Sequence, residues 1–257
     1  MITRALTLAH AHAEVAEGVI PGAGLTLAMS RGADTPPPAR VLDISTLSEL
    51  RGITKEDAHL RIGALVTMQQ LRESEIVRQV LPALSQMAGE IGSAPLRRLA
   101  TIGGNVAWGA GDLVPVLLAY RAKLLCAGAK VSIEAPQRRG LIEAVCIPLA
   151  PFALTFAEKA GLRESFSPSL ITVAATARIN DGKLHDVALA VGGGAEPPRR
   201  LPSSETALAA DTPDALGGRL REVIEHEILG VETDERARLR ARIAANLLAD
   251  CLRENRP

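Results

Sequence analysis

Two stretches of small residues carry the chemistry open to this chain: Pro21-Gly22-Ala23-Gly24, and Thr101-Ile102-Gly103-Gly104-Asn105 with Asp112 shortly after it. Adjacent glycines such as Gly103 and Gly104 let the backbone take positive φ and come close to another group. Successive amide N–H groups in such a bend can converge on an anion without any lysine. Thr101 and Asn105 flank the pair with short hydrogen-bonding side chains, although an ordinary tight turn accounts for a Gly-Gly pair more often than a phosphate cradle does. At the first bend, Val19-Ile20 reads as a strand running into small residues and then a helix-like stretch, the order that commonly aims amides at a phosphate. The dinucleotide fingerprint Gly-x-Gly-x-x-Gly nevertheless fails, because Leu27 stands where the third glycine belongs. No nucleophile or acid–base pair accompanies either bend, so the chemistry they offer is binding.

The other reactive types read more plainly. His10 and His12 point apart on a helix and have no Asp or Cys nearby, so solvent exposure is expected rather than metal ligation. Arg97-Arg98 and Arg199-Arg200 read as solvated pairs or contacts to phosphate or a partner. Trp108, the single tryptophan, is expected to plug a small core gap, with a cover over a ligand as the other reading. Asp112 reads equally as a helix N-cap or a ligand contact. Gly192-Gly193-Gly194 reads as a flexible turn at a sheet edge.

The elements that must position these residues follow from composition and pattern. The chain has 257 residues, 47% apolar, enough to bury a core in one large or two modest domains. Basic and acidic residues balance at 29 each, which argues against nucleic acid or an acidic lipid surface as partner. At 2% aromatic residues there is no platform for stacking bases. Cys126, Cys146 and Cys251 lie far apart and read as buried hydrophobes of a reduced compartment. With no long apolar segment at the N-terminus or elsewhere, a cytoplasmic protein without a membrane span is expected.

Along the chain, helix is expected at 11–17, strand at Val41–Ile44 after Pro36-Pro37-Pro38, strand at 60–64, and helices from Thr67 to Ile91 interrupted at Pro82. The apolar run after Asp112 reads as a buried helix, Lys123 to Glu134 as a hairpin, the segment 136–140 as a loop and Leu141–Ile147 as a strand. A composition change at Pro151 sets an expected domain boundary, giving 1–150 and 151–257. The second part should hold a hairpin of 170–179 and 184–191 turning at Asn180-Asp181-Gly182, then helices. In the last of these, Leu239, Ile243, Leu247 and Cys251 mark one apolar face.

Taken in order, several stretches resemble the FAD-binding medium subunits of the molybdenum hydroxylases, the xanthine dehydrogenase and carbon monoxide dehydrogenase type. The likeness rests on Val41-Leu-Asp-Ile-Ser with Glu49-Leu-Arg-Gly-Ile53, on Leu60-Arg-Ile-Gly-Ala-Leu-Val-Thr67, on Pro82-Ala-Leu84 and, most specifically, on Arg97 with Thr101-Ile-Gly-Gly-Asn105. It continues through Ala144-Val-Cys-Ile-Pro148, Ser169 to Arg178 and Gly192 to Arg200. The resemblance implies an α+β fold: a two-lobed FAD domain of the vanillyl-alcohol-oxidase type, then a small antiparallel sheet with helices. It implies FAD between the two bends, with Gly22, Ala23 and Gly24 on one side and Thr101, Gly103, Gly104 and Asn105 on the other. Asp112, Ile91, Ile147 and Lys159 fall on flanking contacts. It further implies an oxidoreductase subunit working with a [2Fe–2S] subunit and a molybdopterin subunit, the flavin passing electrons to an external acceptor.

The chain departs from the family's pattern at the first bend, usually Ala-Gly-Gly followed by threonine or histidine. Here one glycine is Ala23 and the polar side chain is missing, at a cost of about 1.5–3 kcal/mol for each hydrogen bond lost to a charged phosphate. The connection from Asn105 to Asp112 is also shorter than the pattern, and a segment near 138–141 is missing. The alternative reading is therefore a degenerate paralogue that has lost FAD and serves as a structural or assembly subunit.

Overall fold

Three sheets share the chain, in a computed structural model that describes residues 1–26, 38–134, 140–161, 169–180, 183–193, 196–210 and 218–254. Leu27, Pro36 and Pro37, most of the loop at 136–140, the turn residues Asp181 and Gly182, and Gly194 lie outside the described residues.

The first sheet is parallel, with β1 (Ile2–Arg4) and β2 (Ile20–Gly22) on either side of β3 (Val41–Asp43). Helix α1 (Leu8–Ala16) joins β1 to β2, and the Thr7 hydroxyl accepts from the His10 amide at 3.1 Å to start it. Gly18, at φ +86°, ends it. The helix begins three residues before its expected start, and β1 was not anticipated, because three residues are too few to show a period of two.

The second sheet is antiparallel. It comprises β4 (Ile53–Glu56), β5 (His59–Gly63), β6 (Lys123–Cys126), β7 (Ala129–Ser132) and β8 (Ile142–Pro148), in the order β4-β5-β8-β6-β7. Between β5 and β6 run α2 (Met68–Glu73), α3 (Glu75–Val80), α4 (Pro82–Glu90), α5 (Ala94–Arg97), α6 (Ile102–Trp108) and α7 (Leu113–Ala119). Thr67 and Gln70 form a capping box that starts α2, and Pro82 opens α4, where a missing N–H costs nothing.

The third sheet, also antiparallel, is ordered β12 (Arg199–Arg200), β11 (Lys183–Gly192), β10 (Ser169–Asn180), β9 (Leu154–Gly161). Its period of two splits β10 between two environments. Ile171, Val173, Ala175 and Ala177 join a core with α8 (Pro202–Ala210), α9 (Arg219–Leu229) and α10 (Ala237–Glu254). Ala174 points the other way, into the core that holds α7 and the second sheet, and the Thr176 hydroxyl donates to the Ala119 carbonyl at 2.8 Å. All seven side chains of α7 are buried, which explains why its apolar run has no polar face. Strand β9 was not anticipated from sequence. On α10 the expected face is displaced: Leu239 is exposed, while Arg240, Ala241, Ala244, Ala245 and Leu248 are buried. Small alanines let this helix approach closely, so burial follows them rather than the larger residues.

Tyr120, the only tyrosine, ends α7 with its ring edge-on to Phe152 at 5.6 Å. Its buried hydroxyl finds no hydrogen-bond partner of good geometry among the described residues. Burial pushes the phenol from 10.0 up to about 12, and the nearby Thr155 side chain and Ala83 backbone offset this only in part. The folded chain thus keeps this proton where the unfolded chain loses it. The stabilisation is complete below the unfolded value and is lost as pH rises from there through the folded value. Ultraviolet titration of the native protein should show no tyrosinate step until about 12, against 10.0 in denaturant. A native step at the unfolded value contradicts this.

Candidate functional site

The two bends meet. A Cβ on Gly24 would overlap the carbonyl oxygen of Leu99, two residues before Thr101. Close approach therefore requires glycine at 24; its φ is not in the left-handed region. Leu25 is the residue with positive φ, at +51°, and its side chain folds back over Gly22. The amides of Ala23, Gly24 and Leu25 donate to no other described residue. Ala23 packs its methyl against the first sheet's core, so the Cβ expected to crowd a phosphate is turned into the protein.

The second stretch differs from the expected tight turn. Gly103 and Gly104 lie in the first turn of α6, with ordinary helical φ. The Thr101 hydroxyl accepts from the Gly104 amide at 3.1 Å, and the Thr101 carbonyl accepts from the Asn105 amide at 3.0 Å. The amides of Ile102 and Gly103 donate to the carbonyls of Val66 and Ala64, both at 2.9 Å. These four amides are spent on the protein itself, so they do not converge on an anion. Gly103 is needed for packing, because a Cβ there would lie 2.7 Å from that of Ala64. Gly104 has an open side: a Cβ on it would meet only the Thr101 hydroxyl oxygen, at 3.1 Å.

The short connection to Asp112 has a structural cause. Gly109, at φ +80°, ends α6, and Gly111 lets the Asn105 side chain pass close enough for its Oδ1 to accept from the Leu113 amide at 3.2 Å. Asn105 Nδ2 donates to no other described residue. Asp112 makes no side-chain capping bond to α7. Instead its carboxylate reaches the third sheet, where it accepts from the Ser169 hydroxyl and, at 3.1 Å, from that of Thr172, and lies 3.5 Å from Lys159 Nζ. The structure thus joins Asp112 to Lys159. Ile91 contributes its carbonyl, which accepts from Arg97, whereas the Ile147 side chain is fully buried in the second sheet's core.

Several expectations need correction. Trp108 is 54% exposed and plugs no core gap. His12 is not free in solvent: its Nε2 lies 3.3 Å from Glu143, whose carboxylate also accepts from the Gly128 amide. Arg199 and Arg200 are not a freely solvated pair: half-buried, they pair with Glu232 and Glu205. Gly192 packs tightly, a Cβ there falling 2.8 Å from Pro115. Leu99, Ser169 and Thr172 were missed as parts of the site. A hint lay in the two threonines, Thr172 and Thr176, set among apolar residues on β10.

Among the described residues, the three amides of the first bend and Asn105 Nδ2 donate to nothing else, Lys159 Nζ lies against the Asp112 carboxylate, and Gly104 has an open side. That set suits the diphosphate of a dinucleotide, which needs N–H groups and a small-residue wall. Residues 2–148 match the family described as the FAD binding domain in molybdopterin dehydrogenase. The chain belongs to this family. FAD is accordingly its cofactor. The xanthine dehydrogenase FAD-binding subunit of Escherichia coli O157:H7 is 33% identical over 186 residues, covering 64% of this chain and 63% of the relative. The carbon monoxide dehydrogenase medium chain of Hydrogenophaga pseudoflava is 39% identical over 72 residues, 28% of this chain and 25% of that one. The match thus spans less than two thirds of the curated relatives' length. In fold, the solved carbon monoxide dehydrogenase of Hydrogenophaga pseudoflava superposes with a TM-score of 0.86 at 20% identity, covering 100% of this chain and 98% of that one. Quinoline 2-oxidoreductase from Pseudomonas putida 86 gives 0.81 at 17% identity, over 99% and 95%. The α+β architecture of this FAD-binding domain and its C-terminal antiparallel sheet agree with the fold that the resemblance implied.

Proposed function

We propose that this FAD-binding domain and the sheet beyond residue 150 form the electron-transfer subunit of a molybdenum hydroxylase complex. It takes electrons from a [2Fe–2S] subunit and passes them to an external acceptor, and a molybdopterin subunit performs the hydroxylation. The proposal places the division at 1–150 and 151–257 and the complex in the cytoplasm. Among the described residues no single helix is long and apolar enough to cross a membrane.

The observation that carries the reading is the pairing of three amides, at Ala23, Gly24 and Leu25, that donate to no described residue with the open side of Gly104. In this reading those amides and Asn105 Nδ2 hold the diphosphate, Gly104 leaves it room, and Gly22 lets Leu25 and Val41 pack against the bend. Lys159 adds a positive charge that the Asp112 carboxylate holds in place. Ile91 and Thr101 shape the wall, and Ile147 supports it from the core. Bound FAD would supply two-electron and one-electron redox chemistry; the chain supplies position, charge and exclusion of water. Purified chain mixed with FAD should stay yellow through gel filtration and release flavin on denaturation. Colourless protein after that treatment overturns the reading. It would favour the second one, a subunit that has lost its cofactor, to which the spent amides of residues 102–105 point.

A further inference from the structure

The connector from Ile91 to Ala100 is the seat of the first bend, since the Leu99 carbonyl meets Gly24. Its two ends are held, since Ile91 and Ala100 pack on the core and the Ala100 carbonyl accepts from the Met68 amide at 2.9 Å, but the stretch between them is not. Its one helix, α5, buries no residue, and Leu99 itself is 48% exposed. The stretch between those ends has no buried side chain, so polar contacts place it, and three of them come from one side chain. Arg97 Nη1 donates to the Gly92 carbonyl at 2.6 Å and to that of Ile91 at 3.4 Å, and Nε donates to Gln69 Oε1 on α2 at 3.4 Å. The guanidinium thus ties the amino-terminal end of the connector to α2, and with it the short helix that leads to Leu99. It closes the bend at Gly92, where φ is +57°. It forms no salt bridge with a carboxylate among the described residues, unlike Arg199, Arg200 and Arg240, so its charge and its donors serve carbonyls alone. Its neighbour Arg98 is exposed.

We infer that Arg97 is a positioning residue for FAD: it touches no part of the cofactor but sets the height of Leu99, and through Gly24 the direction of the three free amides. This rests on the reading of those amides as the diphosphate site. Lysine cannot reproduce it, because an ammonium is a point donor that cannot span a fork of carbonyl and amide oxygens.

The test uses the full chain as wild type, Arg97→Gln and Arg97→Lys, with FAD as the probe. It reads the Kd by flavin fluorescence, the phosphorus resonances of the bound diphosphate, the visible spectrum of the isoalloxazine ring, and the thermal midpoint without FAD. We expect Kd to rise roughly tenfold in Arg97→Gln and less in Arg97→Lys. The phosphorus resonances should move toward those of free FAD, while the ring spectrum stays as in wild type. Should Arg97→Gln not fold, Arg97→Lys gives the same comparison. Unchanged Kd and resonances overturn the inference alone, as does a loss in which ring spectrum and resonances change together. Wild type that takes up no FAD overturns the proposed function and this inference with it.

Discussion

Gly24→Ala should separate the two bends. The added methyl falls on the Leu99 carbonyl oxygen, and neither that backbone nor the bend can yield without moving the other. Overpacking of this kind costs about 1–3 kcal/mol of stability. Displacing the free amides from a charged diphosphate should weaken FAD binding by roughly a hundredfold, the sum of two lost charge-assisted bonds at the lower end of their range. Gly24→Thr should do no better, although threonine is common there in the family's pattern, because it carries the same Cβ. This chain's first bend has settled against Leu99 in a way that excludes the usual residue. Ala23→Gly is the control, since the Ala23 methyl packs into the core and not toward the ligand. FAD titration with a thermal melt of each variant checks the expectation. Wild-type affinity in Gly24→Ala would refute it.

Arg240→Ala carries the largest expected loss of stability. Arg240 is 4% exposed and Glu232 3%, and the arginine Nε meets Glu232 Oε2 at 2.7 Å. Its other nitrogens bind Asp234, whose side chain raises the Arg240 pKa against the opposing effect of burial. Removing the arginine leaves Glu232 buried with only the longer contact to Arg199, at 3.4 Å. Breaking a buried pair from one side costs about 3–5 kcal/mol, and the longer contact to Arg199 offsets only part of it. Arg221→Ala, which breaks an exposed pair with Asp250, should cost no more than about 1 kcal/mol. The urea midpoints of the two variants decide the matter, and equal shifts would contradict it.

Much of the fold could be read in the sequence wherever one physical signal dominated. Helix α7 was legible because its apolar run has no polar side, and the β10–β11 hairpin because two β-rich runs flank an Asn-Asp-Gly turn. The strands that escaped include ones whose neighbours, not their own residues, make them strands: β1 has three residues, and in β9 Glu158 and Lys159 break the apolar pattern of Leu154, Phe156, Ala157 and Ala160. At the site, the positions of the small residues were legible but their purposes were not. Glycine serves positive φ and close approach alike, and only the distance from Gly103 to Ala64, or from Gly24 to Leu99, tells which. The paired glycines looked like the anion cradle, whereas the amides without a partner among the described residues sit on the other bend. Asp112 read as a cap because local spacing cannot reveal Ser169 and Thr172, which reach it only through the third sheet.

Helix α7 is clasped at both ends by β10, through Asp112 before it and the Ala119 carbonyl at its close. A gene cut after codon 150 would therefore yield an amino-terminal product with a naked greasy rod along one flank, and a carboxy-terminal product whose central strand had lost the rod it grips. Neither piece would keep the burial that it has in the whole chain.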